Sequence, residues 1–578
     1  MKGGFSVATD PSVLADARSW LHRAFTTPLL VALAGALAFA ACLRQISDPD
    51  YWTHLALARA YLTNGSLWIG EPFIALAAGD ASPAAPPELA LPGFALPESW
   101  PFQMLLYTVR AAGGDAAVSV VVAVLAATIV MLVMAAVRPR IGVPRRGLSL
   151  LLVFGILWVA RFRFVVRPEL GSYVALAAAL LCVQRWVARP GPAPLAALAA
   201  IVAVWTQLHV SWALGVAFVI LHLALLPDRN FWRARLASSP RLALAAGGVA
   251  VVFAIAGAAR FAARVARLFL DGQVSTVLEM EPAWRFPEAF LPFVVVAALG
   301  VLLAWGDREG RLRRLALLMA SVSIGSIVVR NLAFAALCLA PAAFAGLERW
   351  PMPRVTRGAR LLPPLAVAAG IALVAHAIRD PSGEWGVGIV PGSVPRDAAE
   401  FVVRAGLPEP VFNSFDFGGY LDFAWAGRPH TFLDGRLSPP SRVADHAALT
   451  RLRDPEGVIG KYGFRTIVLK PLYDHYGSIV PVVPWLLENP EWSLVRTNDA
   501  LVFVRGPLPA RVRALPAAAA WRHVLQRAHG SHGPYTEAIA LLQLGDERAA
   551  ARAFNDGVRR NPAVAGQYAT LGEYLGVR

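Results

Sequence analysis

The chain contains about eleven apolar runs, and most of the segments between them are short and rich in arginine. Apolar runs of this length predict membrane-spanning helices. A charged fraction of only 16% over 578 residues is also too low for an ordinary soluble protein. We therefore predict a polytopic α-helical membrane protein with spans at about 28–46, 115–137, 147–160, 169–186, 194–209, 211–227, 241–260, 287–305, 314–329, 331–347 and 361–378.

The basic segments follow every second predicted span. The formal net charge is +16, and almost all of it comes from arginine. The positive-inside rule places these segments in the cytoplasm. This predicts an inner-membrane protein with a cytoplasmic N-terminus and an extracytoplasmic C-terminal part. Membrane anchoring accounts for the charge and no nucleic-acid motif occurs, so we expect membrane lipids and no nucleic acid as partners.

Four regions follow from this topology. A cytoplasmic arm covers 1–27, and a multi-span domain covers 28–378, with a long first outer loop at 47–113. A periplasmic α/β domain is predicted over 379–506. Its elements are a helix at 396–405, strands near 410–413, 430–433 and 465–470, and a hairpin over 492–505. Residues 507–578 form a helical tail.

The tail contains small residues and an aromatic at a recognisable spacing, namely Gly545, Ala550, Phe554, Gly557 and Pro562. This spacing resembles the second half of a tetratricopeptide repeat, which would recruit a protein partner. A single repeat cannot bury a core by itself. An ordinary helical hairpin explains the same spacing equally well.

The first outer loop opens with acidic and aromatic residues, in the stretch Ser47 to Leu55. Asp48 or Asp50 is a candidate general base, or a ligand of a divalent metal such as Mg or Mn. Asp50 and His54 are four residues apart, so they share one face of a helix. The structural alternative is that Asp48 caps a helix beginning at Pro49 and that Asp50 lies in its first turn. Tyr51 and Trp52 are then aromatics of the membrane interface.

Arginines also occur on the predicted outer side. Arg163 and Arg167 precede a span that opens with Glu169, and His209 interrupts an apolar hairpin. Arg330 and Asn331 lie between two short spans. Guanidinium groups at this depth suit a phosphate group. Salt bridges to acids of the outer loops explain Arg163 and Arg167 equally well.

Two motifs mark the α/β domain. They are Asn413 to Tyr420, NSFDFGGY, and Thr431 to Arg436, TFLDGR. We predict that Asp416, Tyr420, Asp434 and Arg436 lie on the acceptor side of a site. An architectural role is the alternative, because the paired glycines permit close backbone approach and Asp434-Gly435 is a common turn.

Six stretches, in order through about 48–436, resemble a family of bacterial polytopic membrane proteins. They are DPDYWTHL, ESWPFQMLLYTV, FVVRPELGSY, WTQLHVSW, VVRNLAFAALCLAP and NSFDFGGYLDFAWAGRPHTFLDGR. Such proteins are grouped with the GT-C glycosyltransferases, and many carry a tetratricopeptide tail. The first-loop acids are also similar in type and place to those of oligosaccharyltransferases. SFDFGGYL has a distant likeness to their WWDYG motif, without its tandem tryptophans.

The resemblance implies transfer of a sugar from a polyprenyl-phosphate-linked donor to a periplasmic acceptor. Asp48 or Asp50 would take the position of the base or metal ligand, and Arg167 or Arg330 would hold the leaving phosphate. Two other classes of function fit the sequence. One is a non-catalytic scaffold for assembly of cell-envelope polysaccharide, and the other is a transporter of a lipid-linked sugar.

Overall fold

The computed structural model describes residues 27–74, 97–136, 143–225, 278–305, 310–350, 361–380 and 384–577, apart from 68, 70, 98, 190, 437–439 and 475, together with 247, 248 and 251. The chain divides into two compact units. One comprises Met1–Asp48 and Pro86–Val390, and the other comprises Pro49–Ala85 and Pro391–Arg578. The predicted arm therefore lies outside the described residues, except for its last residue.

The first unit is mainly helical in its described residues, with two isolated β-bridges, Arg44 to Trp385 and Ile46 to Ile389. Its α-helices are Thr27–Cys42, Trp100–Ala135, Val143–Ala160, Glu169–Ala188, Pro192–Leu208, Trp212–Ala224, Pro287–Trp305, Arg311–Ile327, Leu332–Arg349 and Leu362–Arg379. Each predicted span except 241–260 coincides with one of these helices. Nearly all of 241–260 lies outside the described residues.

Five described helices are long and apolar enough to cross a membrane, which is typical of a polytopic membrane protein. They are Trp100–Ala135, Glu169–Ala188, Pro287–Trp305, Val329–Arg349 and Leu362–Arg379. Shorter apolar helices also occur, at Pro28–Cys42, Pro192–Leu208 and Trp212–Ala224. The total of eleven spans stays a prediction.

The helix Leu332–Arg349 lies in the core of the first unit, where 83% of its most apolar stretch is buried. It is rich in alanine, and small residues let helices approach closely where no water is present. A Cβ atom at Gly346 would lie 2.6 Å from the carbonyl oxygen of Leu303. This glycine therefore allows the helix Pro287–Trp305 to pack backbone to backbone against it.

The second unit contains a four-stranded sheet. Its strands are β1 Val411–Asn413, β2 Thr466–Leu469, β3 Trp492–Arg496 and β4 Leu501–Arg505, in the order β1-β2-β4-β3. β1 is parallel to β2, and the other pairs are antiparallel. Its α-helices are Asp50–Asn64, Arg396–Arg404, Phe415–Trp425, Pro440–Thr450, Pro455–Tyr462, Val482–Glu488, Ala517–Arg527, Gly533–Gln543, Glu547–Arg560, Pro562–Ala565 and Ala569–Tyr574.

The predicted hairpin over 492–505 is confirmed as β3 and β4, and its turn has a second role. The carboxylate of Asp499 accepts hydrogen bonds from the backbone N–H groups of Asp397 and Ala398, at 2.6 and 3.0 Å. These N–H groups belong to the first turn of the helix Arg396–Arg404 and have no partner within that helix. The hairpin turn therefore caps this helix.

The predicted strand near 430–433 does not form a regular ladder. Thr431 makes a single parallel bridge with Ile74. The Asn413 side chain takes the place of a neighbouring strand, because it accepts from the Phe432 N–H at 2.7 Å and donates to the Leu433 carbonyl at 2.8 Å. These backbone groups of the β-like sequence therefore form their hydrogen bonds with one side chain instead of with a neighbouring strand.

The interpretation of Tyr51 and Trp52 as aromatics of the membrane interface is wrong. Both are buried within the second unit, on the helix Asp50–Asn64. The Trp52 ring packs edge-on against Tyr420, with centroids 4.8 Å apart, and also contacts Phe423 at 5.3 Å. This part of the first outer loop is therefore an integral helix of the unit that contains the sheet.

The paired glycines of NSFDFGGY permit the close contacts of the helix Phe415–Trp425. A Cβ atom on Gly418 would lie 2.7 Å from the Cα of Asp434. A Cβ atom on Gly419 would lie 2.9 Å from the carbonyl oxygen of Pro49 and from the backbone nitrogen of Thr53. The architectural role of these glycines follows directly, since no larger residue fits.

The tail packs against the α/β part of the second unit. Trp521, Val524 and Ala540 cluster with Leu472, and the Thr536 hydroxyl donates to the Gly477 carbonyl at 2.7 Å. The helices Gly533–Gln543 and Glu547–Arg560 form a hairpin in which Tyr535 packs on Phe554. The assignment to a tetratricopeptide repeat stays a prediction.

Gly419→Ala should destabilise the second unit by about 1–3 kcal/mol, because the added methyl group meets backbone atoms that cannot move independently. The measurement is the unfolding midpoint of the full chain in detergent. Gly460→Ala is the matched control, because Gly460 is exposed in a helix and nothing lies within 4 Å of its added Cβ. An equal midpoint for Gly419→Ala and wild type would show that the close approach is not required.

Candidate active site

The first unit brings together charged residues from five separate segments. We call Asp48, Arg163, Arg167, Glu169, His209, Glu279 and Arg330 the arginine–carboxylate cluster. Its members lie at helix ends or in one-turn helices, not within the apolar middles of the helices. Three guanidinium groups face three carboxylates, so the cluster contains equal numbers of basic and acidic side chains, apart from His209.

Glu169 is the buried centre of the cluster. It opens the helix Glu169–Ala188, as predicted, and its side chain is only 4% exposed. It accepts from Arg163 at 2.6 Å and also pairs with Arg330. A buried carboxylate is tolerated when it is paired and hydrogen-bonded. Glu169 therefore fixes two arginines that lie far apart in the sequence.

His209 adds a third partner to Glu169. The backbone N–H of Ser211 donates to Nδ1 of His209 at 3.2 Å, and Nη2 of Arg330 lies 3.5 Å from Nε2. Nε2 lies 3.6 Å from Oε1 of Glu169. The side chain is 9% exposed. His209 therefore helps to position the carboxylate from the protein side.

Asp48 does not cap the helix that follows it. The helix Asp50–Asn64 has Pro49 at its N-cap position and no side-chain cap. The Asp48 carboxylate instead accepts from Arg167, with Nε at 2.5 Å and Nη2 at 3.3 Å. This two-point contact orients the carboxylate, as is typical of arginine–carboxylate pairs. It also supplies the partner that Arg167 needs at a helix N-terminus.

Glu279 touches all three arginines. Its carboxylate accepts from Arg163 at 2.6 Å and from Arg167 at 3.0 and 3.1 Å, and Arg330 lies 3.9 Å away. Burial alone would raise the pKa of the Glu279 carboxyl, but the guanidinium groups of Arg163, Arg167 and Arg330 lower it below its usual value. Glu279 is therefore ionised at neutral pH.

Asn331, the remaining predicted phosphate-binding residue, lies next to Arg330 in a one-turn helix. It ends the one-turn helix Val329–Asn331 and stands at the N-cap of the helix Leu332–Arg349. No hydrogen bond from its side chain to that helix is present. Its backbone N–H donates to the Val328 carbonyl at 3.0 Å, which stabilises the turn that presents Arg330.

In the second unit, Arg436 is held between two buried carboxylates. Its guanidinium donates to Glu71 at 2.8 and 2.9 Å and to Asp434 at 2.8 and 3.0 Å. Glu71 also accepts from the backbone N–H groups of Phe73 and Ile74. These contacts fasten the 71–74 segment to the TFLDGR motif. The geometry favours the architectural interpretation of Asp434 and Arg436.

Asp422 lies beside Asp434, and both side chains are fully buried. We call these two residues the aspartate pair. Burial, together with the negative charge of Asp434, raises the pKa of Asp422 well above its usual range. Burial opposes ionisation of Asp434 as well, but Arg436 lowers the pKa of Asp434 below its usual value. Asp422 is therefore the neutral acid, and its proton is shared with the Asp434 carboxylate.

The other predicted residues of the second unit have distinct places. The Asp50 carboxylate lies beside Gly435, where an added Cβ atom would meet it. His54 lies on the same helix, one turn further on. Asp416 is in the first turn of the helix Phe415–Trp425, and Tyr420 packs on Trp52.

A divalent metal does not suit the surroundings of Asp48. Both oxygens of its carboxylate face the Arg167 guanidinium, which competes with a cation for the same lone pairs. Among the described residues, no group of three or more His, Cys, Asp or Glu side chains is arranged to hold a metal ion.

The sequence prediction did not find Glu71, Asp422 or Thr431. Glu71 precedes an irregular Ala- and Pro-rich segment, which carries no periodic signal. Asp422 lies on a short apolar helix, where one acid is compatible with either a solvent-facing or a buried position. Its burial becomes clear only when Thr431 donates to it at 2.7 Å.

The solved structures that are similar to this chain include the following two proteins. ArnT from Cupriavidus metallidurans in its apo state has a TM-score of 0.49 and 15% identity, over 85% of this chain and 100% of that chain. The oligosaccharyltransferase of Archaeoglobus fulgidus in complex with zinc and sulfate has a TM-score of 0.47 and 12% identity, over 91% of this chain and 83% of that chain. No family model and no curated protein matches the sequence. These identities and TM-scores are too low to transfer an activity.

The aspartate pair predicts opposite pH dependences for two substitutions. Asp422→Asn mimics the neutral acid. The contribution of Asp422 to wild-type stability falls as pH rises above about 3.9, because the unfolded state then releases a proton that the folded state retains. The unfolding midpoint of Asp422→Asn should therefore equal that of wild type near pH 4 and exceed it near pH 8.

Asp434→Asn should behave in the opposite way. Its lowered pKa contributes stability that is present above about pH 3.9 and is lost as pH falls. The variant should lose about 3 kcal/mol at neutral pH, because Arg436 loses one buried partner, and the loss should shrink in acid. Parallel pH profiles for the two variants would contradict the assignment of the proton to Asp422.

Proposed function

We propose that this protein transfers a sugar from a polyprenyl-phosphate-linked donor to an acceptor hydroxyl at the extracytoplasmic face of the inner membrane. One observation carries the proposal. An oriented carboxylate, Asp48, and the accessible guanidinium groups of Arg167 and Arg330 belong to one cluster at the ends of apolar helices. Ionisable groups placed at such positions are costly to maintain, which favours a functional role.

The proposed reaction needs two charges in complementary places. The acceptor oxygen attacks the anomeric carbon, and the bond between that carbon and the phosphate oxygen breaks. The acceptor proton passes to Asp48, and the electron pair of the broken bond leaves with the phosphate. Arginines stabilise the phosphate as its negative charge grows, and the carboxylate acts as the general base.

Accessibility divides the arginines by role. Arg163 is 5% exposed and is bound to Glu169, so it supports the cluster from within. Arg167 and Arg330 are 19% and 21% exposed, which leaves them able to reach a ligand. The lipid-linked donor would place its phosphate against these two groups. The acceptor would approach from the water side, near Asp48.

A second candidate base is Asp50, which belongs to the second unit and lies beside Gly435. Its neighbours there are the buried residues of the TFLDGR motif. Asp48 is the stronger candidate because Arg167 orients it within the cluster that would bind the phosphate.

Asp48→Asn should lower sugar transfer by roughly 100-fold or more, because the amide cannot take the acceptor proton. The measurement is a mass profile of surface glycans, lipid-linked sugars and glycoproteins in a deletion strain complemented with each variant at equal membrane levels. The deletion and Asp48→Asn strains should lack the same sugar mass.

Asp115→Asn is the matched control for this experiment. Asp115 also pairs with an arginine in the first unit, Arg110 at 2.8 Å, but it is not part of the cluster. It should restore the missing mass. Asp50→Asn tests the second candidate base in the same strain. Restoration by Asp48→Asn and Asp50→Asn alike would reject base catalysis by either residue and favour the scaffold.

A further inference from the structure

The Glu279 carboxylate occupies a position that suits the phosphate of a ligand. The three guanidinium groups of the cluster converge on it, at the distances of ordinary charge-assisted hydrogen bonds for Arg163 and Arg167. Planar guanidinium groups bind carboxylates and phosphates with similar geometry. A carboxylate held in this way resembles a bound anion more than a packing residue.

Glu279 is also the most easily displaced acid of the cluster. Its side chain is 30% exposed, whereas those of Asp48 and Glu169 are 10% and 4% exposed. It lies in a one-turn helix, Leu278–Met280, and not in a long helix. Movement of this side chain would free donors on Arg163 and Arg167, while Glu169 continues to hold Arg163 in place.

Charge determines which ligands gain from the exchange. With Glu279 in place, the three guanidinium groups and three carboxylates balance. Without it, the cluster has one positive charge in excess. A phosphodiester carries one negative charge, which only equals the charge of the carboxylate that it replaces. A phosphomonoester carries nearly two negative charges above its second pKa of about 6, so it binds with a net gain.

We propose that the Glu279 carboxylate occupies the arginine site as an internal anion, which the phosphate of a ligand displaces when it binds. The inference deepens the proposed function and depends on it for its biological meaning. A sugar phosphodiester is a monoanion before the glycosidic bond breaks, and its lipid phosphate becomes a dianion afterwards. The donor phosphate therefore only equals the charge of the carboxylate that it displaces, whereas the developing product brings one additional negative charge to the arginines.

The test is direct binding of two probes to the purified full chain in detergent at pH 8. Farnesyl phosphate is a dianion under these conditions, and its methyl ester is a monoanion. Wild type should bind the dianion more tightly. Glu279→Gln should bind the methyl ester about tenfold more tightly than wild type does, because the freed arginine donors form charge-assisted hydrogen bonds with it. Farnesyl phosphate should bind more tightly to Glu279→Gln by a similar factor, because both probes displace the same carboxylate.

Glu281→Gln is the matched control. Glu281 lies two residues further on, is 32% exposed and pairs with exposed Arg285 outside the cluster. This variant should bind both probes as wild type does. Arg167→Gln should weaken both, which shows that the probes occupy the cluster. Unchanged binding in Arg167→Gln, or unchanged binding in Glu279→Gln, would overturn the proposal.

Glu279→Asp separates the effect of charge from a change in local structure. It keeps the negative charge and should bind both probes about as weakly as wild type does. Equal tightening in Glu279→Asp and Glu279→Gln would contradict the charge-based account. Because no sugar is transferred in these measurements, the binding result does not depend on the Asp48→Asn result, and either proposal can fail without the other.

Discussion

The buried carboxylate of Glu169 is the interaction on which the candidate site depends. It opens one helix, binds Arg163 from the preceding turn and pairs with Arg330 from a turn more than 150 residues later. His209 supports it from a third helix end. Because a buried charge must keep its partners, these contacts hold three helix ends in fixed positions. The accessible face of the cluster is then available for a ligand.

In the second unit, buried charged groups likewise hold separate segments of the chain together. Arg436 is fixed by Glu71 and Asp434, and this contact fastens a segment of the first loop to the chain that follows β1. The paired glycines allow the helix Phe415–Trp425 to approach both segments. The described part of the first loop from Pro49 to Ile74 therefore belongs to the fold of this unit. The contacts of Arg436 differ from the arginine–carboxylate cluster in one respect. Both carboxylates that bind Arg436 are buried, whereas Glu279 of the cluster is partly exposed.

Local signals in the sequence predicted the elements well. The lengths of the apolar runs predicted the helices of the first unit, and the turn sequence at Asp499 predicted the hairpin. Both signals come from residues that are close together in the chain. Long-range pairings were harder to predict. The sequence suggested that Arg167 needs a partner, but Asp48 is 119 residues away. The choice between a phosphate site and salt bridges was left open, and the structure shows the salt bridges, with Glu279 as the most accessible acid. Tyr51 and Trp52 were misplaced because amphipathic aromatics suit an interface and a core equally well.

The central claim is that the arginine–carboxylate cluster performs sugar transfer itself. The most direct measurement incubates the purified protein, in lipid nanodiscs, with the lipid-linked sugar fraction and acceptor fraction of a deletion strain, and follows both fractions by mass spectrometry. The account predicts that the lipid fraction loses a sugar, the acceptor gains the same mass, and free polyprenyl phosphate accumulates. If both fractions keep their masses although the same preparation binds farnesyl phosphate, the protein binds lipid phosphates without transferring their sugars, and the transferase proposal is wrong.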